Sequence, residues 1–548
     1  MFGKIISNSD EDKKLNYRRF SIFLVSLAIL IWSFSILFSE LKIGDYGLIH
    51  GLHPLFFVSV FILTISFYIT IKHCIENKVL LIIHLSCLIL FFSSIPILIE
   101  RVPRFTYNFV SVYHTDYILQ YGHSNHNLLP YQSWPGIFYF ASIFTQVTGI
   151  SLVEIVMFVP IIFIIIGIPI TYLLYSILLN TKKEIWAVFL VTGVAFLGPS
   201  IYFVPGVLGS IMLMYIVVIL LRFDLIKKRI STGINIILLI LFMTIVVSHF
   251  LSTIFLLSIL GFFYAIKFIL EKRFLGFSYL VVIFVMMTTW QIYVIGTYAL
   301  EIISDTFMNM FNFGLTVTEV TQMGFGGSEA HTIVVYIRIV SAIMLLSLAA
   351  VGFLYDLLKT RKITFKIAIL PTWIVASSSV ALFHSYSGEI VSRVFSSSTN
   401  PLEILTAKNI GSKALSIVLI VFLLVYPPFS IINAYGNEAS DYISPAELRG
   451  VEFYQDNKPP NALVASLVER TWRSSYTANV SLMLLDPDSI NWSRVSGERF
   501  TLIGERDISD YVFIQGYIDV ERLKSIDQSQ FNNKVYASKE FELYKANS

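Results

Sequence analysis

Along residues 1–437 the chain repeats one pattern: a long apolar run, then a short polar break. Runs of about 17–25 apolar residues have the length of a bilayer-crossing helix. Such runs are Phe20–Ser39, Leu55–Ile71, Val79–Ile99, Ile155–Leu179, Ile185–Phe203, Val207–Leu221, Ile234–Ser248, Leu251–Leu270, Phe277–Tyr298, Thr332–Tyr355, Ile367–Phe383 and Ala414–Ile432. Gly136–Ile150 is apolar on one face, and Gly388–Lys408 has the length of a broken span. Beyond residue 437 the pattern stops. Ser444-Pro-Ala-Glu447 is a capping box with proline at the first helical position. Pro459-Pro460 ends that helix, and Ala462–Leu467, Tyr511–Gln515 and the hairpin-like Lys534–Tyr544 read as strands. The pattern predicts an α-helical polytopic membrane protein of about 12–13 transmembrane helices over residues 1–437. A small soluble α/β domain is expected over residues 438–548.

Composition sharpens this division. Of 548 residues 56% are hydrophobic and 14% charged, with a mean hydropathy of +0.74. A soluble domain carries roughly 25% charged residues, so an ordinary cytosolic enzyme is excluded. Residues 438–548 hold 29 charged positions and residues 1–437 hold 46. The net charge of +3 divides into +8 on the first part and −5 on the second, which offers no basic surface for nucleic acid. Cys74 and Cys87 supply no disulfide framework. The polar segment Met1–Arg19 and the lack of a small-residue cleavage site speak against a secretory signal.

Lysine and arginine set the orientation, because positive loops stay in the cytoplasm. With a cytoplasmic N-terminus the inner loops hold most of the basic residues, ending with Lys359, Arg361, Lys362 and Lys366. Twelve spans return residues 438–548 to the cytoplasm; thirteen place them outside. Both Asn-x-Ser sequons, Asn479-Val-Ser481 and Asn491-Trp-Ser493, lie in this tail. The expectation is a multi-pass cell-membrane protein with an extracytoplasmic C-terminal domain.

Three predicted outer loops, residues 100–154, 301–331 and 384–413, are too long to be turns, and long loops are commonly functional. Eight of the ten histidines fall on or beside this face: His50, His53, His114, His123, His126, His249, His331 and His384. The first loop carries Tyr113-His-Thr-Asp116, then Tyr131 and Trp134-Pro-Gly136. Asp116 is the one acid between Glu100 and Glu154. A desolvated carboxylate is a stronger base, suited to taking a proton from an acceptor hydroxyl. Asp116 could equally cap a juxtamembrane helix. His114, His123 and His126 could alternatively hold a metal, although no cysteine joins them.

An N-terminal span, a long outer loop with an Asp a few residues before a Gly, and a Tyr/Trp-Pro-Gly segment opening an amphipathic helix resemble the GT-C superfamily. These are multi-span glycosyltransferases using polyprenyl-phosphate-linked donors; they include protein O-mannosyltransferases, the aminoarabinose transferase of lipid A and oligosaccharyltransferases. The resemblance implies a GT-C-like fold and makes Asp116 the counterpart of the first-loop catalytic acid. It departs in two places. His114-Thr-Asp116 stands where the adjacent-acid motif belongs, and the Trp-Trp-Asp-Tyr-Gly signature of oligosaccharyltransferases is missing. Single-sugar transfer is therefore preferred over en-bloc transfer.

Other landmarks fit around that core. Ser248-His249-Phe-Leu-Ser-Thr253 forms an outer hairpin, resembling the His-containing hairpins of archaeal and bacterial GT-C-like proteins, or a polar turn satisfying its own backbone. The second loop carries Glu301, Asp305, Glu319 and Glu329 without Lys or Arg, as a lid, a cation-binding edge or a solvated connector would. Glu389 and Arg393 form an i,i+4 pair. Arg393 suits a clamp on a lipid-linked phosphate, or an interfacial ion pair. Arg338, inside an apolar run, either snorkels or neutralises an anion.

The function expected is transfer of a sugar from a polyprenyl-phosphate donor to a glycan, lipid or protein acceptor at the outer face. Asp116 would be catalytic; Arg393 and Arg338 would bind the donor phosphate; His114, His249, Tyr131, Trp134 and Glu389 would line the site. A divalent metal is possible, and membrane lipid is a partner. The alternatives are a multi-span transporter and a non-catalytic envelope protein with an outer partner-binding domain.

Overall fold

The computed structural model describes residues 2–100, 102–104, 106–126, 130–195, 202–225, 230–272, 277–296, 327–382, 390–457, 463–466, 481–484, 499–504, 532–537 and 541–546. Among the described residues, each of the twelve apolar runs contains helix. In chain order they lie on α1 (Phe2–Leu37), α2 (Leu55–His73), α3 (Lys78–Ser93, with the short α4, Ile95–Ile99), α7 (Leu152–Leu178), α8 (Lys182–Ala195), α9 (Pro205–Leu225), α10 (Thr232–Ser248), α11 (Phe250–Glu271), α12 (Phe277–Trp290), α13 (Glu329–Thr360), α14 (Phe365–Ser379) and the pair α16 (Lys413–Val425) and α17 (Pro427–Tyr435). Polar residues punctuate them. Ser151 and Glu154 form a reciprocal capping box at the start of α7, and Ser231 and Ser328 cap α10 and α13.

Eight helices among the described residues are long and apolar enough to cross a membrane alone, or nine if α16 and α17 count as one span bent by 51°. The chain is a multi-pass membrane protein. α8 is described only to Ala195, and elsewhere the count falls below the twelve or thirteen expected for physical reasons. Run 79–99 is interrupted at Ser94, where Pro96 opens a new helix; α10 stops at His249; Pro427, which has no N–H to donate, bends the last run. The segment Gly136–Ile150 gives α6 (Gly136–Thr148), 13 residues closed by left-handed Gly149. At 1.5 Å per residue it reaches about 20 Å, short of the ~30 Å hydrocarbon core.

The sequence 384–413, read as an outer loop, contains an 18-residue helix, α15 (Ile390–Ala407), packed along α8, α13 and α14. Its C-terminal half, from Pro401 to Ala407, is buried. At one end Arg393 lies close to His249. At the other, Lys408 Nζ bonds the Asp356 carboxylate, and Asp356 and Lys408 lie with Glu184 around Lys366. This helix therefore runs between two clusters of polar and charged side chains.

Two large apolar cores, and a minor one of Val334 and Ile432, are found among the described residues. The larger joins most of the long helices. The smaller, built from Val112, Ile118, Ile137, Phe138, Ala141, Ile155 and Phe203, unites α5 (Thr106–Tyr121) and α6 with the start of α7. After α17 come α18 (Glu438–Asp441) and α19 (Pro445–Asn457), whose Glu447 N–H donates to Ser444 Oγ at 3.0 Å as the capping box requires. Strands β1 (Leu463–Ser466), β2 (Ser481–Leu484), β3 (Arg499–Gly504), β4 (Asn532–Ala537) and β5 (Phe541–Ala546) form one sheet, ordered β2-β1-β3-β5-β4. β1 runs parallel to β2 and β3; β5 runs antiparallel to β3 and β4, the last pair being the expected hairpin. α19 packs on β4 and β5.

Candidate functional site

Asp116 lies inside α5, ten residues beyond its start at Thr106, so the helix-cap alternative does not hold. Its side chain is half-buried and accepts from Gln120 Nε2 at 2.6 Å, an i,i+4 bond along one helix face. Burial raises its pKa, and the Gln120 donor partly offsets this. The carboxylate is thus a somewhat stronger base than in water.

The opposite face of α5 carries His114, fully buried beside Phe138 and Tyr131 at ring distances of 4.9 and 6.1 Å. Gln132 Nε2 donates to His114 Nδ1 at 3.1 Å, while Gln132 Oε1 accepts the Asn125 N–H at 3.0 Å. Burial pushes the His114 imidazole down to about 4, so it is neutral at pH 7. His114 is consequently a pin that fastens the Pro130–Ser133 turn to α5.

That turn leads into Trp134-Pro-Gly136, which docks on the α10–α11 hairpin. Trp134 packs on Phe250 at 5.7 Å, and Trp290 Nε1 donates to the Ser133 carbonyl at 3.0 Å. Only glycine fits at 136, because a Cβ there would come within 2.3 Å of Ser248 Oγ. His249 ends α10 and caps α11, its Nδ1 accepting the Ser252 N–H at 3.2 Å. Burial and then the charge of Arg393 push His249 down to about 3. The neutral ring therefore carries its proton on Nε2, which faces Gly206, where a Cβ would lie 3.6 Å away. A guanidinium and an imidazole N–H beside one helix N-terminus make an anion-friendly corner.

Tyr131 is exposed and Trp134 half-buried. Glu389 lies outside the described residues, as do 301–326 of the second loop and His384. The structure brings together Arg393 with His249, and His114 with Tyr131. Asp116 stands on the neighbouring helix, joined to that corner through the 130–136 segment. Arg338 belongs elsewhere: half-buried on α13, it donates from Nε to the Asn433 carbonyl at 3.2 Å.

Arg338 borders a buried charged group that sequence reasoning missed. Arg104 Nε bonds Glu438 Oε2 at 2.6 Å; its Nη2 donates to the Ala434 carbonyl at 2.9 Å and lies 3.6 Å from Asp441 Oδ2; its Nη1 donates to Tyr202 Oη. The guanidinium also lies over the Tyr435 ring, 4.8 Å from its centroid. Glu100, fully buried, faces Glu438. Burial, then the Glu438 charge, hold Glu100 well above the ordinary carboxyl range; burial raises Glu438 to about 7, with Arg104 opposing.

Among the described residues no three His, Cys, Asp or Glu side chains gather in a way that could hold a metal. His123 Nδ1 instead bonds the Tyr121 carbonyl at 2.9 Å, away from buried His114.

No protein-family model matches the chain. No curated protein matches it either. Among solved structures it is similar to the Archaeoglobus fulgidus oligosaccharyltransferase tethered with an acceptor peptide containing the NVT sequon: 12% identity, 86% of this chain and 74% of that one, TM-score 0.48. The same enzyme in complex with Zn and sulfate gives 13%, 73%, 62% and 0.47. Archaeal oligosaccharyltransferase AglB from that organism, in complex with an inhibitory peptide and a dolichol-phosphate, gives 13%, 81%, 70% and 0.46. These neighbours are GT-C enzymes, the superfamily that the first-loop pattern resembles.

Proposed function

We propose that the chain is a membrane glycosyltransferase that moves one sugar from a polyprenyl-phosphate donor to an acceptor on the outer face. The observation that carries this reading is the corner where Arg393 meets neutral His249, joined by the Trp134-Pro-Gly136 segment to the helix bearing half-buried Asp116. The fork of Arg393 suits two phosphate oxygens, and the Nε2–H of His249 a third. Leaving-group charge developing on the phosphate is thereby stabilised. Asp116 takes or orients the proton of the acceptor hydroxyl, and Tyr131 and Trp134 flank the sugar. No step is routed through a metal.

The reading includes a topology. Counting α15 and the shorter helices α3, α8 and α10 as crossings gives thirteen, with the N-terminus cytoplasmic and residues 438–548 outside as a small α/β domain. Two contacts support it: Lys408 with Asp356, at the end of α13 that carries Lys359 and Arg361, and Arg104 with Glu438 at the other end. A multi-span transporter is the second reading. It draws on Glu403, a carboxyl 2% exposed inside the bundle.

The test is turnover. Protein reconstituted in vesicles is given a panel of polyprenyl-phosphate hexoses, with membranes from cells lacking the chain as the acceptor source. Protein-dependent loss of one donor with a glycosylated product is expected. Failure to consume any donor, by protein of verified fold, would end the transferase reading.

A further inference from the structure

We propose that Arg104 is a positioning residue: it pins the start of α5 to the chain that follows the last crossing, and so sets where Asp116 stands. The inference rests on the reading of Asp116 as the acceptor-side base. Arg104 lies two residues before α5 and is 4% exposed. Its donors are spread over three partners from two distant parts of the chain, Glu438 and Ala434 on one side and Tyr202 on the other. Its own carbonyl accepts from Asn108 Nδ2, one turn into α5. Asn108 Oδ1 accepts the Phe203 N–H, and Ser111 Oγ donates to the Phe203 carbonyl, both at 2.7 Å. The first two turns of α5 are therefore fixed in rotation and height by directional bonds, and Asp116 stands roughly 12 Å beyond Asn108 on the same rigid rod.

Apolar packing alone would not do this. The small core beneath α5 holds Val112 and Ile118, contacts that tolerate a turn or slide of the helix. A buried ion network is weak evidence for stability, since well-packed apolar residues often serve as well, but it can fix one register among several. Arg104 also makes α5 answer to α17 and α18. Placement of Asp116 thus depends on the docking of residues 434–441, and the C-terminal part of the chain is no passenger.

The experiment uses the full chain in lipid vesicles, with Cys74 and Cys87 replaced by serine and Asp116→Cys as the reporter. The rate of modification by a water-soluble maleimide is compared with Arg104 intact, with Arg104→Lys, and with Arg104→Met combined with Glu438→Gln. The paired change removes both members of the closest ion pair, and thermal unfolding of the variant is measured alongside because Asp441 loses its guanidinium neighbour. The paired variant is expected to alter labelling at 116 several-fold and Arg104→Lys less, while a Val147→Cys control on α6 stays constant. With Asp116 restored, turnover of the paired variant should fall by about 10²-fold, the scale of a 1 Å misplacement, with donor KM little changed. Unchanged labelling at 116 overturns the inference whatever the activity; so does a loss of turnover without any change in labelling. A wild-type chain that consumes no donor counts against the transferase reading alone, and the labelling comparison still decides the placement.

Discussion

Asp116→Asn isolates charge and basicity from everything else the side chain does. The carboxylate is half-buried within α5 and accepts one bond, from Gln120 at 2.6 Å. Asparagine keeps an oxygen for that donor and the same volume, so the stability change should stay within about 0.5 kcal/mol, as for other substitutions away from cores, caps and networks. A general base, by contrast, is worth about 10²–10⁴ in rate, or roughly 3–5 kcal/mol at 1.36 kcal/mol per tenfold. The two effects differ by nearly an order of magnitude in free energy, so one variant separates them. The pH profile adds a second reading. Burial raises the Asp116 pKa above its ordinary ~3.9. Only the deprotonated form can act as a base, so wild-type turnover should climb with pH through that raised value and level off above it. The Asn variant should lack this limb. The assay follows donor loss and product in reconstituted vesicles over pH 4–8, with thermal unfolding of both proteins alongside. An Asn variant that turns over at the wild-type rate, with the same acid limb, would remove Asp116 from the chemistry.

Arg393→Lys keeps the charge but loses the fork; losing a charge-assisted hydrogen bond costs about 1.5–3 kcal/mol, so donor KM should rise roughly 10- to 150-fold, and Arg393→Ala should do worse. A folded Ala variant with unaltered KM would sink the clamp. For topology, Ala537→Cys in a chain lacking Cys74 and Cys87 should react with an impermeant maleimide in intact cells; reaction only after lysis would place the sheet inside. Glu100 and Glu438, which face Arg104, Asp441, Tyr202 and Tyr435 with Arg338 beyond, have raised pKa values. Groups of that kind stabilise fully below their unfolded value of ~4.3 and lose the contribution as pH rises through the folded one, about 7 for Glu438. Hydrogen exchange over residues 434–441, corrected for intrinsic rates, should therefore be slower at pH 5 than at pH 8; the reverse order would refute the assignment.

Transfer and transport make different demands on the bundle interior. A transporter needs ionisable groups along a path near the midplane, on interrupted helices. Glu403 meets the first demand, and the bend between α16 and α17 the second, but the two are not one site. Glu403 Oε2 accepts from Thr192 Oγ1 at 2.7 Å, and Thr192 lies 3.3 Å from Tyr175 Oη, a set that ties α15, α8 and α7 together. Interhelical bonds of this kind hold membrane helices against each other. Arg393 and His249 stand at the other end of α15. That end is where the proposed transfer site lies.

The helical part of the fold was legible because burial in lipid writes itself into long runs: among the described residues every apolar run contains helix. α15 was half legible: Gly388–Lys408 has the length of a broken span, but Ser396-Ser-Ser-Thr-Asn-Pro401 interrupts its apolar residues with side chains that suit a loop as well as a packed helix. The small core uniting α5 and α6 was half legible, through the one-sided apolar pattern of 136–150. The Arg104 network was least legible, since Arg104 and Glu438 lie 334 residues apart. A signal nevertheless existed. Glu100 and Arg104 follow shortly after the third run, which ends at Ile99, and Glu438 and Asp441 follow shortly after the last, which ends at Ile432. Opposite charges at similar depth can pair only if both run ends emerge on the same side. An ion pair of 2.6 Å does not bridge a bilayer of ~30 Å. On the proposed topology, in which the third run crosses, the last crossing shares its odd parity. Twelve crossings break that condition and thirteen satisfy it, which is why the proposed crossing of α15 and the pairing of Arg104 support the same outer placement of the tail.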